Sequence, residues 1–469
     1  MTRIISAEEL QMQIPFIEKV REHYITQKVS GSPMACIRTF GCQQNVADSE
    51  HIKGMLDQMG FGFTEEPDEA DFILFNTCAV REHACDRVFG NVGALKHIKR
   101  RRPEVIIAVC GCMVQQPHVA EKLKESYPFV GLVFGTHVIH RLPELLWTSL
   151  NQRRQLSVTP QEDGVIAEGL PTYRDGSFKA WLPIMYGCNN FCTYCIVPYV
   201  RGRERSRDPE IIVREAEELV HQGYKEITLL GQNVNSYGKG EKHGVNFAEL
   251  LRRINAIPGD FTIRFMTSHP KDATRELFDT IASCEKVSRH FHLPFQSGND
   301  RVLKAMNRRY TRKQYLDLVN YARSVVPDIS FTSDVIVGFP GETREEFEDT
   351  LSLVKEVGFT SLFTFIFSPR KGTPAAEMED PVSAETKSAW FRELSALQED
   401  VSAERLAKLV GTEQRALLET AEDGYIEARL ASNSVVRVEA DPAWIGRYAT
   451  VRIDDARSWI MHGTVLSIE

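Results

Sequence analysis

The sequence predicts an α/β chain in three parts: a doubly wound parallel sheet, a partial parallel (β/α) barrel, and a small C-terminal antiparallel β-barrel. Three observations carry that expectation. Between Met34 and Ser126 short apolar runs alternate with helical patterns, the order that builds a parallel sheet with helices on its faces. From Trp181 to Phe367 six further strand-like runs alternate with helical stretches, as in a barrel of parallel strands, here an incomplete one. Beyond Gly411 five short runs crowd into the last stretch of chain, which suits a small barrel.

The chain has 469 residues, too many for one compact core. Apolar content of 42% and charged content of 26% are those of an ordinary globular protein. Met1 to Lys19 lacks the apolar run and small-residue cleavage site of a signal peptide. No stretch approaches the length needed to span a bilayer, so no membrane partner is expected. The ten cysteines then point to a reducing cytoplasm, where thiols serve metals or catalysis. A formal charge of -8 argues against wholesale coating of nucleic acid and leaves room for a local basic face.

Residues 1–33 form an N-terminal extension, and the first sheet domain occupies 34–150. Met34 to Phe40, Asp71 to Thr77 and Val105 to Cys110 read as buried strands, followed by helical patterns at Ala47 to Met59, Val80 to Arg102 and His118 to Ser126. A cysteine closes each strand: Cys42, Cys78 and Cys112. Doubly wound sheets gather ligands beyond the carboxyl ends of their strands, so these three cysteines are expected at one rim. The plainer alternative is three small buried hydrophobes near turns. Cys36, Cys85, Cys110 and Cys284 read as core residues.

A polar stretch, 151–178, reads as a linker, and 179–409 as the barrel. Its strands are expected at Trp181 to Met185, Ile227 to Leu230, Thr262 to Met266, Phe291 to Leu293, Ser333 to Val337 and Ser361 to Phe367. The loop after the first reads Cys188-Asn189-Asn190-Phe191-Cys192-Thr193-Tyr194-Cys195. Three thiolates at this spacing offer three corners of an iron–sulfur cube and leave one iron for a ligand that is not protein. Structural zinc would want a fourth Cys or His, and three cysteines make a poor disulfide framework.

That loop resembles the cluster motif of radical S-adenosylmethionine (SAM) enzymes, in which the amino and carboxylate groups of SAM occupy the open iron. With Thr39-Phe40-Gly41-Cys42-Gln43-Gln44-Asn45, Asn76-Thr77-Cys78-Ala79-Val80-Arg81-Glu82 and Gly111-Cys112-Met113, the chain resembles their methylthiotransferase branch. The resemblance continues through Leu230 to Tyr237, Met266-Thr267-Ser268-His269-Pro270 and His292 to Gly298. One departure is Gln44, where the group usually carries Met. The resemblance implies two clusters: a radical-SAM [4Fe-4S] cluster on Cys188, Cys192 and Cys195, and an auxiliary cluster, taken as [4Fe-4S], on Cys42, Cys78 and Cys112. It implies SAM as cofactor, with Tyr194 near the adenine and Gln232 meeting the amino group through its amide oxygen. Asn233, Ser268 and the turn at Gly338 are further expected SAM contacts.

The implied activity is conversion of N(6)-dimethylallyladenosine, 3′ of the anticodon, to its 2-methylthio derivative. It would use two SAM per turnover, one as methyl donor and one as radical source, with sulfur from the auxiliary cluster. The partners are a tRNA anticodon stem-loop and an external electron donor such as a flavodoxin-type protein. Residues 410–469 resemble the RNA-binding TRAM domain. Two other readings stay open: action on another tRNA adenosine or a ribosomal-protein aspartate, and a non-catalytic iron–sulfur RNA-binding protein. Basic residues cluster at Lys99-Arg100-Arg101-Arg102, a helix end or solvated face, and at Arg201, Arg203, Arg205 and Arg207. The second group could grip phosphates or the SAM carboxylate. His269, His292 and Asp334 lie near strand ends, where packing roles are at least as natural.

Overall fold

A computed structural model describes residues 3–27, 31–79, 82–152, 154–160, 164–176, 178–457 and 459–469. Val80 and Arg81 of the second cysteine motif, parts of the N-terminal extension (1–2, 28–30) and of the expected linker (153, 161–163, 177), and the side chain of Cys85 lie outside that description. The chain divides into two compact units, one of residues 1–175, 185–189 and 195–205, the other of 176–184, 190–194 and 206–469. Among the described residues no helix is long and apolar enough to cross a membrane.

The first unit is built on a six-stranded sheet in the order Gly62–Phe63, Met34–Thr39, Phe72–Thr77, Ile106–Gly111, Leu132–Phe134, Leu156–Val158. Every neighbouring pair is parallel. Phe72–Thr77 and Ile106–Gly111 are buried at all positions, as central strands of a parallel sheet covered on both faces must be. Side chains alternate between the faces. Phe72 and Leu74 pack with Ile52, Leu56, Phe134 and Leu146, while Ile73 and Phe75 pack with Val88, Val92, Ile107 and Val109.

Three local differences from expectation have simple causes. The first helix runs Gln43–Gln58, with Cys42 at its N-cap. Its first turn is polar and hid the start. The stretch read as one helix to Arg102 holds two, Glu82–Ala94 and Lys96–Arg101. The expected linker contributes the sheet's last strand, Leu156–Val158, and a strand Val165–Ala167 that pairs in parallel with Arg3–Ile5. Runs of three residues are too short for periodicity to register. The N-terminal extension is packed: Val20 and Tyr24, on the helix Ile14–Gln27, join the first apolar layer.

In the second unit the barrel strands form two parallel three-stranded sheets. One has the order Thr262–Phe265, Glu226–Leu230, Lys179–Pro183, and the other His290–His292, Ser330–Val337, Ser361–Ile366. The first strand starts two residues earlier than expected and ends at Pro183, which cannot donate to a ladder. The C-terminal segment closes into a five-stranded barrel around Leu418, Ile426, Val436, Val438, Val451 and Met461. Expected as antiparallel, it carries one parallel seam, Val435–Val438 against Ile460–Ile468. An odd ring cannot alternate direction at every seam. Arg264 Nη2 donates to the Leu430 carbonyl at 2.9 Å and Tyr448 Oη to the Lys225 carbonyl at 2.7 Å, fastening this barrel within the unit.

Candidate metal and cofactor sites

Cys42, Cys78 and Cys112 follow three adjacent strands of the first sheet, and the structure brings them together. The Cys42 and Cys112 thiols both reach Asn45 Oδ1, at 3.6 and 3.9 Å. A Cβ added at Gly41 would collide with Cys78, and one at Gly111 with the Thr77 carbonyl. Both glycines have positive φ, 124° and 101°, so bare backbone is what lets the rim close. Asn45 is itself fixed: its Nδ2 donates to the Phe40 carbonyl at 3.1 Å, and Asn76 Nδ2 donates to its carbonyl at 2.8 Å.

Electrostatics separates the thiols. Cys42 is exposed at the rim, and a hydrogen bond with Cys78 lowers its thiol to about 6 against the partial desolvation of its sulfur, helped by Arg201 and the Asn45 amide. Burial pushes Cys112 up to about 11, opposed by Arg201. Arg201 is 5% exposed; its Nε donates to Cys112 Sγ at 2.9 Å and its Nη2 to Asn45 Oδ1 at 3.0 Å. Asp48 pairs with the same Nη2 at 2.7 Å. Gln44 Nε2 reaches Asp48 at 3.4 Å, while its buried Oε1 has no partner. Among the described residues no group of three His, Cys, Asp or Glu side chains already stands in metal-holding geometry. Two sulfurs on one asparagine, with Cys78 hydrogen-bonded to Cys42 and the buried Arg201 on Cys112, nevertheless fit an anionic cysteine-held cluster.

The arginines expected to grip phosphates divide. Arg201, Arg205 and Arg207 are buried, and Arg203 is exposed. Arg205 donates to the carbonyls of Arg201 and Arg203, and Arg207 pairs with Glu215 at 2.7 Å. Burial and internal pairing replace phosphate binding for these three. At the other basic run, Arg102 pairs with Asp71, Arg101 with Asp68, and Lys99 donates to two carbonyls, as a helix end does.

Of the loop cysteines, Cys188 and Cys195 belong to the first unit and Cys192 to the second. Cys188 is buried, its amide donating to the Gly202 carbonyl at 3.1 Å, and Cys195 is half-buried. Within the second unit, the loop's middle is held by the 305–308 segment. Thr193 N donates to the Met306 carbonyl at 3.1 Å, Thr193 Oγ1 to the Ala305 carbonyl at 2.9 Å, and Asn307 Nδ2 to the Phe191 carbonyl at 2.9 Å. Arg308 Nη1 reaches Cys192 Sγ at 3.5 Å. Tyr194 packs with Phe339, Val302 and Met306.

The expected SAM contacts follow the carboxyl ends of the second unit's strands. Asn233 Nδ2 donates to Asp272 at 2.8 Å, leaving its buried Oδ1 without a partner. Ser268 Oγ and His269 Nε2 are likewise buried and unpartnered. His269 Nδ1 accepts from the Lys271 amide at 3.1 Å, which places the ring proton on Nε2. Burial, with Arg308 and Lys271 nearby, holds that imidazole well below its ordinary range. Thr267, between these loops, has φ 61°, a strained value for a β-branched residue. Orphaned buried oxygens on neighbouring loops fit a polar cofactor such as SAM. Gln232 is half-buried beside Asn233. Gly338 differs: its amide donates to Glu342 at 2.6 Å and its Cα faces Lys387, so any cofactor contact there falls to its carbonyl. Burial raises Glu342 to about 7 against the Gly338 and Phe339 amides. His292 is bound to Thr332 at 2.9 Å, with Asp334 at 3.5 Å.

Residues 34–135 match the Uncharacterized protein family UPF0004, residues 182–354 the Radical SAM superfamily and residues 407–466 the TRAM domain. The chain is 46% identical over 467 residues to the tRNA-2-methylthio-N(6)-dimethylallyladenosine synthase of Acetivibrio thermocellus, covering 98% of this chain and 97% of that protein. Against the protein of that name from Thermoanaerobacter pseudethanolicus the identity is 46% over 467 residues, covering 99% and 98%. A solved radical SAM methyltransferase, TsrM from Kitasatospora setae with tryptophan and aza-SAM bound, superposes with TM-score 0.54 at 14% identity, covering 74% of this chain and 75% of that one. That likeness concerns the fold. The partial parallel barrel with a three-cysteine loop is that of a radical-SAM enzyme. The chain belongs to the methylthiotransferase family of the tRNA-2-methylthio-N(6)-dimethylallyladenosine synthases.

Proposed function

We propose that this chain converts N(6)-dimethylallyladenosine beside the tRNA anticodon into its 2-methylthio derivative, using two SAM per turnover. The observation that carries the reading is 46% identity along 98% of the chain to a synthase of that name. When bound, the two clusters and SAM supply the chemistry: one-electron cleavage of SAM to methionine and a 5′-deoxyadenosyl radical, hydrogen removal from carbon 2 of adenine, and a methylated sulfur.

The chain's own residues hold and aim these groups. Cys188, Cys192 and Cys195 would hold the radical-SAM [4Fe-4S] cluster, and Cys42, Cys78 and Cys112 the auxiliary one, with Asn45 fixing the sulfurs of Cys42 and Cys112. Gln232 would accept from the SAM amino group. Asn233 Oδ1 and Ser268 Oγ would offer further polar contacts, Tyr194 would lie near the adenine, and the Gly338 carbonyl would border it. Residues 34–150 would serve as the auxiliary domain, 179–409 as the radical barrel, and 410–469 as the RNA-binding module. Trp459, 61% exposed on that module, provides a face on which a base can stack. The substrate is a tRNA anticodon stem-loop, where a single-stranded base can be turned outward. A flavodoxin-type protein would supply electrons in the cytoplasm.

The test is anaerobic: reconstituted protein, SAM, dithionite and an anticodon stem-loop bearing dimethylallyladenosine, with nucleosides analysed by mass spectrometry. A 2-methylthio product is expected. Formation of 5′-deoxyadenosine without it would overturn the substrate, and absence of both would overturn the enzyme class.

A further inference from the structure

We infer that two buried arginines give the two cysteine sites different charge environments. Arg308 sets an uncompensated positive charge against Cys192 and favours the reduced state there, whereas Arg201 at Cys112 is neutralised by Asp48 and leaves the auxiliary site without that bias. The inference rests on the cluster assignments made above.

Arg308 is 6% exposed. Besides Cys192 it donates to the Pro294 carbonyl at 2.5 Å and to Tyr310 Oη at 3.2 Å, and its guanidinium lies 5.3 Å from the Tyr310 ring centre. Every one of these partners is formally neutral, and among the described residues no carboxylate pairs with it. A lone buried cation is costly to desolvate and is placed only where something compensates it. Arg201 is equally buried and closer to its sulfur, but it shares a guanidinium nitrogen with Asp48, whose side chain is 7% exposed, at 2.7 Å. The pair sums to zero.

Adding one electron to a cysteine-held cluster adds one negative charge, and a cation a few ångströms away in a low-dielectric site stabilises that charged state. A neutral ion pair gives no comparable stabilisation. An electron from an external low-potential one-electron donor is therefore held preferentially at the SAM-binding site. Arg308 and Arg201 are positioning residues that act through Cys192 and Cys112.

Reduction potentials test this in the full chain with one cluster at a time. The Cys42→Ala, Cys78→Ala, Cys112→Ala variant keeps the radical cluster, and the Cys188→Ala, Cys192→Ala, Cys195→Ala variant keeps the auxiliary one. Iron content and electron paramagnetic resonance establish that each holds a single cluster; if either does not, the ligand assignment fails rather than the inference. In the first background, Arg308→Gln is expected to shift the reduction equilibrium at least tenfold towards the oxidised state, 59 mV for a one-electron couple. Arg308→Lys, which keeps the charge, should stay within about twofold of its parent. In the second, Arg201→Gln strands the Asp48 carboxylate and shifts the equilibrium in the same direction, and adding Asp48→Asn restores it to within about twofold. An unshifted Arg308→Gln, an Arg308→Lys displaced as far as Gln, or a double variant no better than Arg201→Gln would each overturn the inference.

Discussion

The auxiliary rim and the radical loop both present three cysteines, but they assemble them by opposite means. Cys42, Cys78 and Cys112 lie far apart in sequence and meet because three adjacent parallel strands end side by side. Cys188, Cys192 and Cys195 sit within one short loop whose middle is tied to a distant helix end by Thr193 and Asn307. The rim should therefore fail when the sheet's backbone is disturbed. The loop should fail when its straps are cut.

Disturbing the backbone at the rim is expected to have the larger effect. In Gly111→Val, a side chain is forced against the Thr77 carbonyl at φ 101°, so the purified protein should lose about half of its cluster iron and still cleave SAM. Equal loss of both clusters, read from iron content and 5′-deoxyadenosine yield, would break the distinction. Cutting a strap should cost less. Asn307→Ala removes the donors to the Phe191 and Asn190 carbonyls and is expected to slow SAM cleavage by roughly tenfold, a loss of about 1.4 kcal/mol of preorganisation, while auxiliary iron stays unchanged.

Glu342 sharpens the comparison from the barrel side. Its folded value of about 7 lies above its ordinary 4.5, so folding takes up a proton between those values. The stability this gives is complete below pH 4.5 and is lost as the pH rises through 7. Glu342→Gln should flatten that decline by about 2 kcal/mol, measured as urea midpoints at pH 5 and 8. A residual slope from Glu50, also raised to about 7 by burial, should remain. The smallest expected effect is at the rim's periphery. Gln44→Met removes a buried acceptor without a partner and should stabilise the fold by about 1 kcal/mol without changing product. A destabilised variant would show that Gln44 is needed for the geometry of Asp48.

The cysteines and the strands that carry them were legible because each sits at the end of an apolar run, and strand ends follow from periodicity. What stayed hidden is tertiary. Arg201 and Cys112 are 89 residues apart, and Arg308 and Cys192 are 116 apart, so no local pattern distinguishes an arginine aimed at sulfur from one aimed at phosphate. Alternation of Arg201 with Arg205 and Arg207 suggested an open basic face, whereas burial and internal carbonyl and carboxylate partners consume them. The three-residue strands of the 151–178 segment carried too little pattern to be seen. Gly338 was legible as a turn, but its occupation by Glu342 and Lys387 was not, since Lys387 comes from a later helix.

Separating the two cysteine sites by product offers the most direct test. The Cys42→Ala, Cys78→Ala, Cys112→Ala variant, reconstituted anaerobically and given SAM, dithionite and the dimethylallyladenosine stem-loop, is predicted to yield 5′-deoxyadenosine with no 2-methylthio nucleoside. Methylthio product from that variant would contradict the assignment of the sulfur-donating site to the rim of the first sheet.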